Sequence, residues 1–255
     1  IEFSTDVEGP FYNEKYVAAG MIMRENLISI VTDTWGAIPY AEALQGSLNN
    51  LAPVYSSQED IYAGMLANLK MASDMLDPAG GTIDGDILFS GDVMRWKKFA
   101  NSLRLRLANR QATKKPGESA AIFEEILTNP DQYPVFTSNE DYAFITHEAR
   151  LGDNNNNAWH EIMVVDGRED WSISQTLIDA MTDGAGNPTD PRITVYAETA
   201  IAGDLEGLFS GAINGLTVAD ASVYINTASR PGKFFSQERA PVFLMTYSEL
   251  MFILA

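Results

Sequence analysis

The chain contains no cysteine. That removes disulfides, thiol nucleophiles and cysteine-ligated zinc together. It leaves the compartment open, because a periplasmic or surface protein need not carry disulfides, and it means that no lipid-bearing cysteine lies in this stretch. Histidine is scarce: the two copies, His147 and His160, are each followed by glutamate. Neither has a second histidine four residues on, so the H-E-x-x-H pattern of zinc proteases is absent. Positive charge is in deficit, with 17 Lys and Arg against 35 Asp and Glu, a formal net charge of −18. So acidic a surface repels phosphate backbones and anionic lipid, which argues against nucleic-acid binding and direct membrane adhesion. Long apolar runs are missing too. The nearest, 242–255, is too short to span a bilayer and holds Thr246, Ser248 and Glu249. No G-x-S-x-G elbow, P-loop or dinucleotide fingerprint occurs. Glycoside hydrolysis needs only two carboxylates, so composition leaves a hydrolase open.

What is present is a folded protein. Hydrophobic residues make up 45% of the 255, with 4 Trp, 10 Tyr and 12 Phe, which is too apolar for a disordered chain. Tyr16, Gly20, Met23, Leu27, Ile30 and Thr34 recur at spacings of three and four, predicting a helix over 12–34 with one mostly apolar face. Gly36 and Pro39 break it. Ser56 with Glu59 forms a capping-box pattern before a second helix over 57–76, which the Asp77-Pro78-Ala79-Gly80-Gly81 run stops. A third helix is expected over 93–113, with Trp96, Phe99 and Leu103 as core. Arg104 and Arg106 should lie off that face or at its edge, paired with acids. Pro116 opens a fourth helix, to about Leu127.

Residues 129–167 lose this periodicity and read as a long irregular excursion with one short strand. Connections of that length are usually functional or disordered. Ser172 with Gln175 signals a helix over 173–181. Residues 184–240 are loop-rich with short strands, and Thr246 with Glu249 caps a last helix. No repeat and no low-complexity linker divides the chain, so a single domain over 1–255 is expected. The start at Ile1 without Met and the stop inside an apolar run suggest a fragment truncated at both ends.

Five segments, in order, resemble the SusD/RagB family. They are Asp33-Thr34-Trp35-Gly36-Ala37-Ile38-Pro39-Tyr40 with Ala41-Glu42-Ala43; Ile61-Tyr62 to Leu69 ahead of Asp86-Ile87-Leu88-Phe89-Ser90-Gly91-Asp92; the run from Trp96 to Leu107, which is the most specific; Asp190-Pro191-Arg192; and Pro241 to Ala255. The resemblance implies a mainly α fold, in which tetratricopeptide-like helix pairs form a scaffold with long irregular loops and a few short strands. It implies a non-catalytic nutrient-binding lipoprotein of the outer membrane, about twice this length, with its lipid anchor outside this chain and on the surface or periplasmic face. Its partners would be an oligosaccharide and a SusC-like TonB-dependent transporter. Family relatives that bind peptides make a peptide the nearer alternative to glycan. No cofactor is implied.

Aromatic rings suit sugar binding because their faces stack on the C–H face of a pyranose while amides and carboxylates bond the hydroxyls. Trp159, Trp171 and Tyr142 flank the Asn-rich excursion and form the candidate platform. Asn155 within the run Asn154–Asn157, Arg168 and Asp170 are the candidate polar partners. Trp35 and Tyr40, in the family-like turn, are further candidates, with packing the more ordinary role. Asp84, Asp86 and Asp92 could gather oxygens for calcium, but their spacing is not that of an EF-hand, and a turn is the simpler expectation.

Overall fold

The structure, a computed structural model, describes residues 12–45, 50–148, 156–224 and 226–255. They pack as two compact units. The first takes the chain up to Ile145 together with Phe243–Ala255; the second is Thr146–Val242.

Four long helices build the first unit: α1 (Glu14–Trp35), α2 (Gln58–Met75), α3 (Val93–Gln111) and α4 (Pro116–Thr128). Consecutive helices pack against each other, as expected of a helix-pair scaffold. Asn13 starts α1 by accepting the Lys15 amide at 3.0 Å, and Gly36 ends it at φ 77°, where glycine is the least strained residue. The α2 cap falls one residue later than the sequence pattern suggests. Ser56 belongs to β2 (Tyr55–Ser56), paired with β1 (Ile38–Pro39), so Ser57 takes the capping role and accepts the Asp60 amide at 3.1 Å. Asp92 caps α3 and Pro116 occupies the first turn of α4.

Ile22, Ile61, Met65, Leu69, Phe99 and Leu103 fill the core, where the Phe99 and Phe136 rings stack at 6.2 Å. Two expectations need correction. Part of the face of α1 expected to be buried is turned outward, with Tyr16, Leu27 and Ile30 exposed, while the buried face carries Glu25, Asn26, Ser29 and Thr32 besides Val17, Ala18 and Ile22. Glu25 is tolerated because partners reach it: the Tyr40 hydroxyl and the Asn68 amide both donate to its carboxylate. Arg104 and Arg106 are buried, not at an edge. Helix α3 lies among α2, α4 and a later helix, so no single face of it is free. The arginines do pair with acids, Arg104 with Glu125 and Arg106 with Glu249.

The strand expected in the irregular excursion is β3 (Ala143–Thr146). The second unit then begins with α5 (Ala158–His160), which widens into a π turn over Glu161–Val165. Short helices follow: α6 (Gln175–Met181), α7 (Ile193–Tyr196) and α8 (Val218–Ala221). Helix α6 starts later than the pattern predicts. Ile173 and Ser174 are held extended by the Ile173 amide on the Ser229 carbonyl and the Ser174–Ala212 bridge, so Ser174, not Ser172, caps it. Ile178, Met181, Ile193, Ala197 and Phe209 form the small core. Residues 184–240 are loop-rich as expected, although the described part offers isolated bridges in place of short strands. Strand β4 (Pro241–Met245), paired with β3, and α9 (Tyr247–Leu254) complete the described chain. Thr246 caps α9 by accepting the Glu249 amide at 3.2 Å, as the sequence predicts. No described helix is long and apolar enough to cross a membrane.

Candidate functional site

In the second unit, the buried Asn157 side chain sets the local geometry. Its Oδ1 accepts the Trp159 amide at 3.0 Å, and its Nδ2 donates to the carbonyls of Phe235 and Gln237 at 2.7 and 2.8 Å. His160 Nδ1 lies 2.9 Å from the Ser236 carbonyl. Helix α5 is thereby tied to the 235–237 segment. Trp159 and Trp171 meet edge to face, with centroids 4.8 Å apart and an interplanar angle of 78°. Both stay open to solvent, at 40% and 39% exposure. Two large apolar rings left partly exposed and paired edge to face can receive a flat apolar ligand face.

A cavity of about 450 Å³ opens beside this turn, lined among others by His160, Arg168, Glu169, Glu198, Arg230 and Lys233. The volume is in the range of small-molecule sites. Its cations are matched by acids. Arg230 reaches Glu169 at 3.1 Å, Lys233 reaches Glu198 at 3.4 Å, and Arg168 grips Asp170. The Arg168 hydrogen bonds hold the Asp170 carboxyl below the usual carboxylate range. Paired ions present donors and acceptors side by side, which suits hydroxyl and amide groups that do both.

The other candidates fall elsewhere. Tyr142 is in the first unit, edge-on to Phe243 at 5.9 Å, with its hydroxyl donating to Asn139 at 2.9 Å. Trp35, at the end of α1, is 71% exposed. Tyr40 is buried; its hydroxyl donates to Glu25 at 3.1 Å and accepts from Asn68 at 3.0 Å. Burial and the Glu25 charge push its pKa well above the usual phenol range. Asn155 lies outside the described residues. The first unit has its own groove of about 700 Å³, lined by Asp33, Tyr62, Arg110 and Lys115 among others. There the Tyr62 hydroxyl donates to Asp33 at 2.6 Å, and burial followed by that bond pushes Tyr62 up to about 12.

The aspartate loop is a turn. Asp86 accepts from the amides of Leu88 and Gly91 at 2.8 and 2.9 Å and from Trp96 Nε1 at 2.8 Å, and Asp92 caps α3. Among the described residues, no three His, Asp or Glu side chains converge as a metal site would need. Sequence reasoning missed Glu198, Arg230 and Lys233. Their place in the cavity lining depends on the Ala197–Pro231 bridge and on Asn157, which join residues far apart in the chain.

The family profile described as SusD-like, starch-binding and associating with the outer membrane, matches residues 2–255. The chain belongs to the SusD-like family. That family is one of non-catalytic carbohydrate-binding proteins associated with the outer membrane. Among solved structures, this SusD-like chain is similar to a chitin-binding protein at 27% identity and a TM-score of 0.77, covering 99% of this chain and 52% of that one. It is also similar to a SusD homologue from Bacteroides fragilis at 26% identity and a TM-score of 0.74, covering 94% and 52%. A chitin-binding SusD homologue from Flavobacterium johnsoniae, at 23% identity, has the same fold with a TM-score of 0.78, covering 99% and 49%. The SusD-like chain thus spans about half the length of these relatives. No curated protein matches it.

Proposed function

We propose that this SusD-like chain captures an oligosaccharide at the outer membrane and hands it to a SusC-like TonB-dependent transporter, breaking no bond. The observation that carries this reading is the half-exposed Trp159–Trp171 pair, whose chain neighbours His160, Arg168 and Glu169 line a cavity of paired ions. An indole face covers the C–H side of a pyranose, while Arg168 and its neighbours bond the hydroxyls. The likeness to a chitin-binding protein supports a glycan ligand. Trp35, Tyr142 and Asn155 remain candidates on the sequence argument alone. Attachment to the membrane would use a lipid anchor on residues outside this chain. The single family match across both compact units supports treating them as one SusD-like domain.

The net charge of −18 favours one other ligand class, a basic peptide. Calorimetric titration against an oligosaccharide panel and a set of basic peptides, with reducing-sugar release followed in the same samples, separates the readings. Binding of glycan without release supports capture. Sugar release makes the protein a hydrolase and refutes it. Binding of peptides alone replaces glycan by peptide.

A further inference from the structure

A second group of exposed aromatic rings neighbours the cavity lining in the chain: Tyr196 lies two residues before Glu198, and Phe234 and Phe235 lie between Lys233 and Ser236. Tyr196 and Phe235 stack, with centroids 6.0 Å apart and planes 26° from parallel. Phe234 meets Phe235 edge to face at 5.4 Å. The three rings are 39%, 37% and 36% exposed in the order Tyr196, Phe234, Phe235. Each keeps more than a third of its surface in water despite the company of the others.

The backbone fixes this group in place. The Glu198 amide donates to the Arg230 carbonyl at 2.9 Å, and the Gly232 amide donates to the Tyr196 carbonyl at 2.9 Å. The segments run so close that a Cβ on Gly232 would stand 2.0 Å from the Val195 carbonyl oxygen. Only glycine allows that approach. The same 230–237 segment supplies the carbonyls that hold Asn157 and His160, and through them Trp159. One stretch of chain therefore positions both aromatic groups.

Both groups sit next in the chain to residues that line the cavity. One wall comes from α5, its π turn and Arg168–Glu169, which run from Trp159 towards Trp171. The other wall includes Glu198, two residues after Tyr196, and Lys233 and Ser236, which bracket Phe234 and Phe235. The link from the Phe235 carbonyl through Asn157 to the Trp159 amide keeps the two groups on neighbouring segments.

We propose that Tyr196, Phe234 and Phe235 form a second stacking subsite for the same glycan, so that the site takes an extended oligosaccharide in preference to a short one. This rests on the capture reading above. It adds a length requirement that the tryptophan pair alone does not impose.

The test is calorimetric titration of the protein with chito- and malto-oligosaccharides, from disaccharide to hexasaccharide. Affinity should climb with length in at least one series. Tyr196→Ala and Phe235→Ala should each weaken hexasaccharide binding about five- to tenfold, the worth of one aromatic contact, and leave the disaccharide value unchanged. Trp159→Ala should weaken both. If Phe235→Ala lowers the thermal midpoint, Phe235→Leu replaces it, keeping bulk and removing the flat face. Variants that weaken short and long ligands equally, or neither, overturn the second subsite and leave capture standing. A wild-type protein silent to every oligosaccharide sinks the capture reading, and the subsite with it.

Discussion

The Arg106 guanidinium and the Glu249 carboxylate make a two-pronged ion pair, with Nε and Nη2 each 2.6 Å from a carboxylate oxygen, between residues 143 positions apart. Nη2 also donates to the Leu244 carbonyl at 2.9 Å. The pair fastens α9 to α3. Its two halves are unequally wet, with the Arg106 side chain 10% exposed and that of Glu249 39%.

That inequality decides which substitution costs more. Glu249→Ala strands a buried guanidinium and should cost about 2–3 kcal/mol, less than the loss of a fully buried pair because Glu249 is partly solvated. Arg106→Met leaves a carboxylate that can turn to water and an apolar chain that fills the gap, at about 1 kcal/mol. Urea unfolding of both variants measures this. A larger loss for Arg106→Met would mean that packing, not charge, holds α9.

Asp141 supplies a pH dependence. Burial alone would push its carboxyl up. The Thr137 amide at 2.7 Å and hydroxyl at 3.0 Å, with the Lys98 ammonium 2.9 Å from both oxygens, outweigh burial and hold it below the usual range. A folded value below the unfolded one of about 3.9 stabilises the protein above that pH. The contribution is lost as pH falls through the lower, folded value. Asp141→Asn should cost about 1–3 kcal/mol at neutral pH and flatten the decline in stability below about pH 4. Parallel acid-unfolding curves for the variant and the parent would refute the assignment.

A helical glycine usually gains from replacement by alanine, by roughly 0.5–1 kcal/mol. Gly64 in α2 should do the opposite. A Cβ there would stand 2.5 Å from Tyr40 Cε1, and the Tyr40 hydroxyl is held by Glu25 and Asn68, so the ring cannot step aside without breaking those bonds. Gly64→Ala is expected to lower the thermal midpoint. In the background of Tyr40→Leu, which removes the obstructing ring, the same change should become neutral or stabilising. A midpoint raised by Gly64→Ala alone would show that the Tyr40 network is loose.

How much of this was legible follows from which interactions are local. Periodicity and caps located α1, α2, α3, α4 and α9 within a few residues, because those signals sit within one helix turn. The cap of α2 slipped from Ser56 to Ser57 because a strand pairing with Ile38 claimed Ser56. The exposure of Leu27 and Ile30, and the burial of Arg104 and Arg106, were not legible, since they depend on which neighbours surround each helix. The same limit applies to the site. Trp159 and Trp171, close in sequence, were singled out together, whereas Glu198, Arg230 and Lys233 are brought to the cavity by long-range backbone pairing.

The tryptophan pair offers the most direct optical test of capture. Four tryptophans contribute fluorescence. Trp96 is buried and should not respond to ligand, and Trp35 lies in the first unit. A glycan stacked on Trp159 and Trp171 displaces water from both indoles and should shift emission to the blue, saturating at the calorimetric affinity. Trp159→Ala and Trp171→Ala should each weaken binding about tenfold, since each loses its own stacking face and disturbs the edge-to-face contact at 4.8 Å that orients the other. The double variant should lose less than the product of the two, because the second substitution removes a ring already misplaced by the first. Fully multiplicative losses would mean that each indole binds alone, and that the pair is not one platform. A shift that persists in the double variant and vanishes in Trp35→Ala would move the ligand to the end of α1.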